Sequence, residues 1–240
     1  MKKYRVIVTG DREDWSPWVA GSDGPEIEFQ SVPVLRYERL PIEPELLERW
    51  LSQKPVEWIV FTSPRAVRFW TETLLESGYE LPVETRVACL GSRTAEVANE
   101  DGYTVDFCPK EPGTDGFLEE FEKNQHPSTV LIPAAEGGRP KLKERLKQLG
   151  YEVNWVPLYR TLSKQDLSDS LTKEQLEQAD AVVFTSPSSV DALLAQFTLP
   201  DSIQVLAIGG FTGRHLEDRG FIRPHLVPGG DFSRIGEVLC

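Results

Sequence analysis

The chain has 240 residues, of which 40% are hydrophobic and 10% aromatic, an ordinary composition for a folded globular protein. A formal net charge of −12 argues against binding to a nucleic-acid backbone, which requires clustered lysine and arginine. The apolar run at residues 6–8 is too short for a signal peptide or a membrane span, so we expect no membrane association. Cys89, Cys108 and Cys240 have no CxxC spacing, which favours reduced thiols in a cytoplasmic protein over a metal site or a disulfide framework.

Strands and helices are predicted to alternate along the chain. The predicted strands are 4–9, 26–35, 57–62, 86–90, 103–108, 129–132, 152–162, 181–185, 205–208 and 221–227. The predicted helices are 44–53, 64–78, 92–100, 114–123, 139–149, one within 163–178, 188–197, 212–219 and 232–239, while 13–25 has only weak helical periodicity. This alternation predicts an α/β protein with doubly wound parallel sheets covered on both faces.

One phrase occurs twice, about half a chain length apart. Residues 60–64 read VFTSP and residues 183–187 read VFTSP again, each predicted to be a buried strand, a turn and a helix start. Ser63 and Ser186 are suitable N-caps, and the proline after each suits the first helical position. Val-Pro at 32–33 and 156–157 is a further echo. A single repeat of this length predicts two similar halves.

Most predicted strand-to-helix turns offer glycine or hydroxyl groups, which suit either structural capping or ligand binding. These turns are 9–10, 62–64, 91–94, 137–140, 186–188 and 209–212. Taken together, they indicate a ligand with several negative groups, and none has the spacing of a dinucleotide or P-loop motif. Arg65, Arg93, Arg139 and Arg214 follow such turns, where each either binds a carboxylate or is simply solvated.

Familiar catalytic patterns are missing from the sequence. His126, His215 and His225 have no zinc-binding spacing, and there is no GxSxG elbow. Tyr159 follows Val-Pro-Leu near the junction of the two halves. It is either a half-buried strand aromatic or a phenol that hydrogen-bonds or protonates a leaving hydroxyl group.

The combined motifs resemble those of the uroporphyrinogen-III synthase family over nearly the whole chain. The matching phrases are FTSPRAV at 61–67, VPLYRT at 156–161, FTSPS at 184–188, and AIG at 207–209 with Thr212 and Arg214. The resemblance implies two flavodoxin-like or Rossmann-like α/β domains, 1–34 with 163–240 and 42–156. A two-stranded β connector, 35–41 and 157–162, would join them.

The resemblance also implies the reaction. The family closes hydroxymethylbilane, a linear tetrapyrrole with eight carboxylates, to uroporphyrinogen III, with loss of water and inversion of ring D. It uses no metal or cofactor. Loss of the hydroxyl group would leave a cationic azafulvene, which ring D attacks to give a spiro intermediate that rearranges.

By this resemblance Tyr159 matches the tyrosine that assists departure of the hydroxyl group. Substrate binding is expected at Thr62, Ser63, Arg65, Ser92, Thr94, Gly138, Arg139, Ser186, Ser188, Gly209 and Thr212. The chain departs from the family at Gly10, where many relatives have arginine, and at Gly210–Phe211, which replaces a common Pro-Thr.

Two other functions remain open at this stage. A non-catalytic two-domain sensor of an anionic small molecule would share the two similar halves. A nucleotide-dependent transferase would need a fingerprint that no loop supplies. Whether the chain is the family enzyme or the sensor, we expect a monomer whose partner is a small anionic molecule, without a nucleic-acid or membrane partner.

Overall fold

The computed structural model describes residues 3–19, 26–124, 126–138 and 140–239. The chain divides into two compact units. The discontinuous unit comprises Met1–Arg36 and Leu162–Cys240, and the continuous unit comprises Tyr37–Thr161.

The described residues contain eleven strands and nine α-helices. The strands are β1 Lys3–Val8, β2 Glu26–Ser31, β3 Leu35–Arg39, β4 Trp58–Phe61, β5 Arg86–Cys89, β6 Val105–Phe107, β7 Thr129–Ala135, β8 Glu152–Ser163, β9 Ala181–Phe184, β10 Gln204–Ala207 and β11 His225–Leu226. The helices are α1 Arg12–Val19, α2 Pro44–Glu48, α3 Pro64–Ser77, α4 Ser92–Glu100, α5 Thr114–Asn124, α6 Pro140–Gln148, α7 Lys173–Glu177, α8 Pro187–Leu194 and α9 Gly210–Asp218. A π-helical turn, Arg49–Gln53, extends α2, and 3₁₀ turns follow at Pro228–Gly230 and Phe232–Glu237.

The discontinuous unit has a five-stranded sheet in the order β11-β10-β9-β1-β2, and every neighbouring pair is parallel. Counted within the unit, this is the flavodoxin-like order 2-1-3-4-5. The chain therefore winds outward in both directions from the centre, and the order reverses between β1 and β9.

The continuous unit is built on the six-stranded sheet β3-β8-β7-β4-β5-β6. The pairs β8/β7, β7/β4, β4/β5 and β5/β6 are parallel. The five strands from β4 to β8 have the order 3-2-1-4-5, which matches the first five strands of the Rossmann order 3-2-1-4-5-6 and reverses between β4 and β7. The prediction of an α/β protein with doubly wound, mostly parallel sheets is confirmed.

The buried central strand β4 and helix α3 show why the sequence folds this way. All four residues of β4, WIVF, are buried, as expected for a parallel strand covered on both faces. Helix α3 packs Val67, Trp70 and Leu74 inward, at the spacing of one helical face. The helix ends at Gly78, whose φ of 72° is the left-handed conformation that glycine adopts without steric cost.

The predicted strand 26–35 is wrong in its extent. Strand β2 ends at Ser31, and β3 begins at Leu35 in the other sheet. Pro33 lies between them and has no backbone N–H to donate to a ladder, which explains the break.

Two predicted elements near the end of the chain are also corrected. The strand predicted at 221–227 shrinks to His225–Leu226, because Arg223 has a φ of 52° and Pro224 follows it. The helix predicted at 232–239 is instead the 3₁₀ turn Phe232–Glu237, which contains Gly236 and has poorer helical hydrogen-bond geometry.

Candidate active site

Each sheet offers one edge that suits ligand binding. In open α/β sheets, ligands bind outside the carboxyl ends of the strands, at the point where strand order reverses. In the continuous unit this edge follows β4 and β7, and in the discontinuous unit it follows β1 and β9. The two VFTSP phrases follow β4 and β9, so both lie at such a reversal point.

In the continuous unit, the reversal point holds Tyr159 and Ser63. The Tyr159 hydroxyl oxygen lies 3.3 Å from Ser63 Oγ, and the Tyr159 side chain is only 7% exposed. Ser63 is the N-cap of α3 and accepts a hydrogen bond from the Ala66 N–H at 3.2 Å. The phenol of Tyr159 is therefore held at a helix N-terminus, where the helix dipole favours negative charge.

Aromatic and cationic groups surround this phenol. The rings of Tyr37 and Phe69 lie 6.1 and 5.4 Å from the Tyr159 ring, at interplanar angles of 71° and 66°. The guanidinium carbon of Arg65 lies 3.4 Å from the centroid of the Tyr37 ring. Such edge-to-face and cation–π contacts restrict the orientation of every ring involved.

A backbone hydrogen bond also holds Tyr159 in place within β8. The Glu136 N–H donates to the Tyr159 carbonyl at 2.7 Å, directly after β7. Glu136 also forms an ion pair with Arg160, with 3.5 Å between Oε2 and Nε.

Other residues predicted to bind substrate in this unit differ in accessibility. Ser92 is exposed at the first residue of α4, whereas Thr62 and Thr94 are buried, Thr94 being only 5% exposed. Gly138 donates its N–H to the Ala135 carbonyl at 3.0 Å, which closes the turn after β7. Arg139, also predicted as a binding residue, lies outside the described residues.

The arginines that follow the turns do not share one environment. Arg65 stacks on Tyr37, whereas Arg93 forms an ion pair with Glu96 at 3.1 Å. Arg214 is exposed on α9.

In the discontinuous unit, a hydroxyl network joins the ends of β1 and β9. The hydroxyl oxygens of Thr9 and Ser189 lie 3.0 Å apart, and the Thr185 hydroxyl donates to the Thr9 carbonyl at 3.1 Å. Ser186 caps α8 by accepting from the Ser189 N–H at 3.2 Å, and Ser189 Oγ accepts from the Ser186 N–H at 3.1 Å. This reciprocal capping box fixes the first turn of α8.

The other residues expected to bind substrate at this edge differ in exposure. Ser188 is exposed in the first turn of α8. Gly209 is the N-cap residue of α9, whereas Thr212, in its first turn, is only 4% exposed. Phe211, one of the positions that depart from the family, is 72% exposed.

Two titratable groups near β5 have altered pKa values. Burial, with a smaller contribution from Cys108, raises the pKa of the Cys89 thiol to about 12, so this thiol is protonated at neutral pH. Burial also raises the pKa of Tyr103, whose hydroxyl lies 3.1 Å from Thr71 Oγ1. Cys89 is consequently unsuited to act as a nucleophile beside the Gly91–Ser92 turn.

Among the described residues, no group of three His, Cys, Asp or Glu side chains is arranged to hold a metal ion. Within the same part of the chain, no helix is both long and apolar enough to cross a membrane.

Sequence reasoning missed Tyr37, Phe69 and Ser189 as residues of these edges, whereas Thr9 belongs to the predicted turn at 9–10. Ser189 could have been found from its spacing, because it stands three residues after the cap Ser186, as in a capping box. Tyr37 had no local signal, because its contacts depend on β3 lying beside β8.

Comparisons with known proteins identify a family for this chain. The family model described as uroporphyrinogen-III synthase HemD matches residues 27–228. A Methanothermobacter thermautotrophicus protein assigned to uroporphyrinogen-III synthase is 32% identical over 186 residues, which cover 72% of this chain and 74% of that protein. The chloroplastic uroporphyrinogen-III synthase of Oryza sativa is 26% identical over 79% of this chain and 63% of its own length.

Solved structures share the fold. Uroporphyrinogen-III synthetase from Helicobacter pylori superimposes with a TM-score of 0.62 at 19% identity, over 94% of this chain and 92% of its own. A mutant uroporphyrinogen III synthase from Thermus thermophilus gives 0.60 at 20% identity, over 96% and 94%. Because the family model matches residues 27–228 and the Methanothermobacter protein is 32% identical to this chain, the chain belongs to the uroporphyrinogen-III synthase family of tetrapyrrole biosynthesis.

Proposed function

We propose that this chain is a uroporphyrinogen-III synthase, a lyase that closes hydroxymethylbilane to uroporphyrinogen III with loss of water and inversion of ring D. The observation that best supports the proposal is the Tyr159 hydroxyl, 3.3 Å from the cap Ser63 at a strand-order reversal, in a chain of this family. The phenol is a proton donor at the edge where α/β proteins bind ligands.

Tyr159 is proposed to assist departure of the hydroxyl group. Its O–H donates to the hydroxymethyl oxygen while the carbon–oxygen bond breaks, so the oxygen leaves as water. The electrons of the adjacent pyrrole stabilise the resulting cation as an azafulvene. Ring D attacks this carbon through its substituted α carbon to give the spiro intermediate. The bond from that α carbon to the methylene of the neighbouring ring then breaks, which leaves a second azafulvene, and the opposite α carbon of ring D attacks that methylene to close the inverted macrocycle. The proton that this carbon loses as ring D regains aromaticity balances the one that Tyr159 supplied.

The helix N-termini are proposed to bind the carboxylates of the substrate. The N-terminal turns of α3, α4, α8 and α9 present backbone N–H groups that lack intrahelical partners, with the positive end of each helix dipole. Exposed Ser92 and Ser188 supply hydroxyl groups there, and Arg65 supplies charge. Arg139, which lies outside the described residues, is proposed as a further binding residue from the family resemblance. Thr94 and Thr212, also expected to bind substrate, lie in the first turns of α4 and α9 but are buried.

Several wider assignments are part of the same proposal. The domains are 1–34 with 163–240 and 42–156, with 35–41 and 157–162 as connector strands. The protein acts as a cytoplasmic monomer, and the free thiols of Cys89 and Cys108 are in keeping with a reducing compartment. Its partner is the small-molecule substrate alone, without a metal or an organic cofactor.

The proposal is tested by an isomer assay. Purified protein is added to freshly generated hydroxymethylbilane, and the products are oxidised and separated as type I and type III porphyrins. We expect mainly type III, because unassisted closure gives the uninverted type I isomer. Type I alone, from protein shown by circular dichroism to be folded, would overturn the enzymatic proposal and favour a sensor of anionic molecules.

A further inference from the structure

We propose that Tyr37 is a positioning residue that couples the binding group Arg65 to the phenol of Tyr159. The inference rests on the proposed function, since it assigns a role in that reaction. It concerns the continuous unit only, to which all of these residues belong.

The contacts form a closed ring. Arg65 lies with its guanidinium carbon 3.4 Å from the Tyr37 ring centroid, and the Tyr37 ring meets the Tyr159 ring with 6.1 Å between centroids. The Tyr159 hydroxyl lies 3.3 Å from Ser63 Oγ. Ser63 caps the helix in which Arg65 is the second residue, so the backbone of α3 completes the ring.

This ring gives Tyr37 two effects at once. Arg65 is a flexible side chain with five donors, and a flat contact with an aromatic face limits the orientations of its guanidinium plane. A carboxylate then meets a pre-oriented fork, which lowers the entropy lost on binding. The same Tyr37 ring restricts Tyr159 by an edge-to-face contact, which aligns the phenol with the bond that breaks.

Phe69 provides an internal control. Its ring contacts the Tyr159 ring with a separation of 5.4 Å and an angle of 66°, close to the geometry of Tyr37. Arg65 makes its cation–π contact with the Tyr37 ring. Loss of Phe69 therefore disturbs the phenol, whereas loss of Tyr37 disturbs both the phenol and the arginine.

The experiment compares Tyr37→Leu, Phe69→Leu and Tyr37→Phe in the full chain. With hydroxymethylbilane, Tyr37→Leu is expected to raise KM about tenfold and to lower kcat about fivefold. Phe69→Leu is expected to lower kcat by about the same factor while KM stays within about twofold. Tyr37→Phe retains the ring, so it should restore both constants to within about threefold of the native values.

Binding is measured separately with uroporphyrin III as a stable octacarboxylate probe, through quenching of its fluorescence. Tyr37→Leu should weaken this binding about tenfold in the native background and by less than about twofold when Arg65→Met is already present. Phe69→Leu should leave probe binding unchanged in both backgrounds. Circular dichroism and urea unfolding establish that each variant is folded.

Arg65→Lys covers the case in which Tyr37→Leu does not fold. Lysine keeps the charge but lacks the planar guanidinium, so Tyr37 loses its stacked partner. Under the proposal, this variant weakens probe binding and also lowers kcat at saturating substrate. A change in binding with unchanged kcat would show that Arg65 and Tyr159 are not coupled.

The outcomes separate the two proposals. If the native protein forms type III product but Tyr37→Leu and Phe69→Leu have the same KM and the same probe affinity, the role of Tyr37 is overturned. If the native protein forms only type I product, the proposed function fails, while the dependence of probe binding on Tyr37 and Arg65 still tests the coupling.

Discussion

A phenol and an aliphatic hydroxyl group meet at the carboxyl edge of the continuous unit's sheet. Ser63 Oγ already accepts from the Ala66 N–H as a helix cap, and it lies 3.3 Å from the Tyr159 hydroxyl. One serine thus stabilises α3 and fixes the phenol. Because of this double role, substitution of Ser63 would mix stability and activity, and Tyr159 is the cleaner residue to test.

We predict that Tyr159→Phe lowers kcat for type III formation at least about tenfold, because the proton donor for the departing hydroxyl group is lost. KM should change by less than about twofold, since the ring still packs between Tyr37 and Phe69. The free energy of unfolding should fall by about 1 kcal/mol or less. Steady-state kinetics and urea unfolding measure these quantities, and an unchanged kcat would show that the phenol is dispensable.

The structural role of a residue was predictable where it depends on the spacing of neighbouring residues in the sequence. Ser63 and Ser186 were predicted to be N-caps because each is a hydroxyl residue between a buried strand and a proline. Both serines cap their helices as predicted. The role of Tyr159 in the reaction came from family resemblance and stays a prediction. The burial of Thr94 and Thr212 was not predictable, because it depends on which side of each first turn faces the sheet.

Hydrogen bonds from the first turn of α8 anchor this helix to the end of its sheet. Ser189 is fully buried, and its hydroxyl lies 3.0 Å from that of Thr9, which is 180 residues away in sequence. Ser189 Oγ also donates to the Ser186 carbonyl at 2.7 Å. The capping box therefore anchors the helix to the end of β1 as well as closing its own first turn.

We predict that Ser189→Ala destabilises the protein by about 2 kcal/mol, because it removes the buried hydroxyl and leaves the Ser186 N–H without its side-chain acceptor. Ser188→Ala is the matched control, one residue earlier on an exposed position of the same turn. That variant should change stability by less than about 0.5 kcal/mol. Urea unfolding followed by circular dichroism compares the two, and equal effects would contradict the role assigned to the network.

Element type was more predictable than element extent. The alternation of apolar strands and amphipathic helices correctly indicated parallel α/β sheets, and strand β4 and helix α3 lie within a residue of their predicted bounds. The strand predicted at 26–35 was too long, because Pro33 separates β2 of one sheet from β3 of the other. The strand predicted at 221–227 failed because a left-handed Arg223 precedes Pro224.

The protein and its proposed substrate carry charge of the same sign, because the chain has a net charge of −12 and the substrate has eight carboxylates. Long-range repulsion slows the approach of like charges, whereas contacts at helix N-termini act over a few ångströms. Salt screens the first effect more strongly, since the Debye length falls from about 30 Å at 0.01 M to about 8 Å at 0.15 M ionic strength.

We therefore predict that kcat/KM for hydroxymethylbilane rises about threefold between these two ionic strengths. The value of kcat at saturating substrate should stay constant, because it excludes the encounter step. Initial rates at both ionic strengths test this, with an uncharged osmolyte as the control for solution effects. A fall in kcat/KM would mean that local cationic groups, not the overall charge, govern the approach of the substrate.

The α/β class, the two capped strand-to-helix turns and, through its motifs, the family could all be predicted from the sequence alone. The class and the turns depend on residues within about a dozen positions of one another, which periodicity and cap chemistry register directly. The contacts of Tyr37 with Tyr159 and Arg65, and of Thr9 with Ser189, became evident only in the folded chain. Those contacts follow from strand order and register, which bring together residues far apart in the chain and leave no local periodic signal.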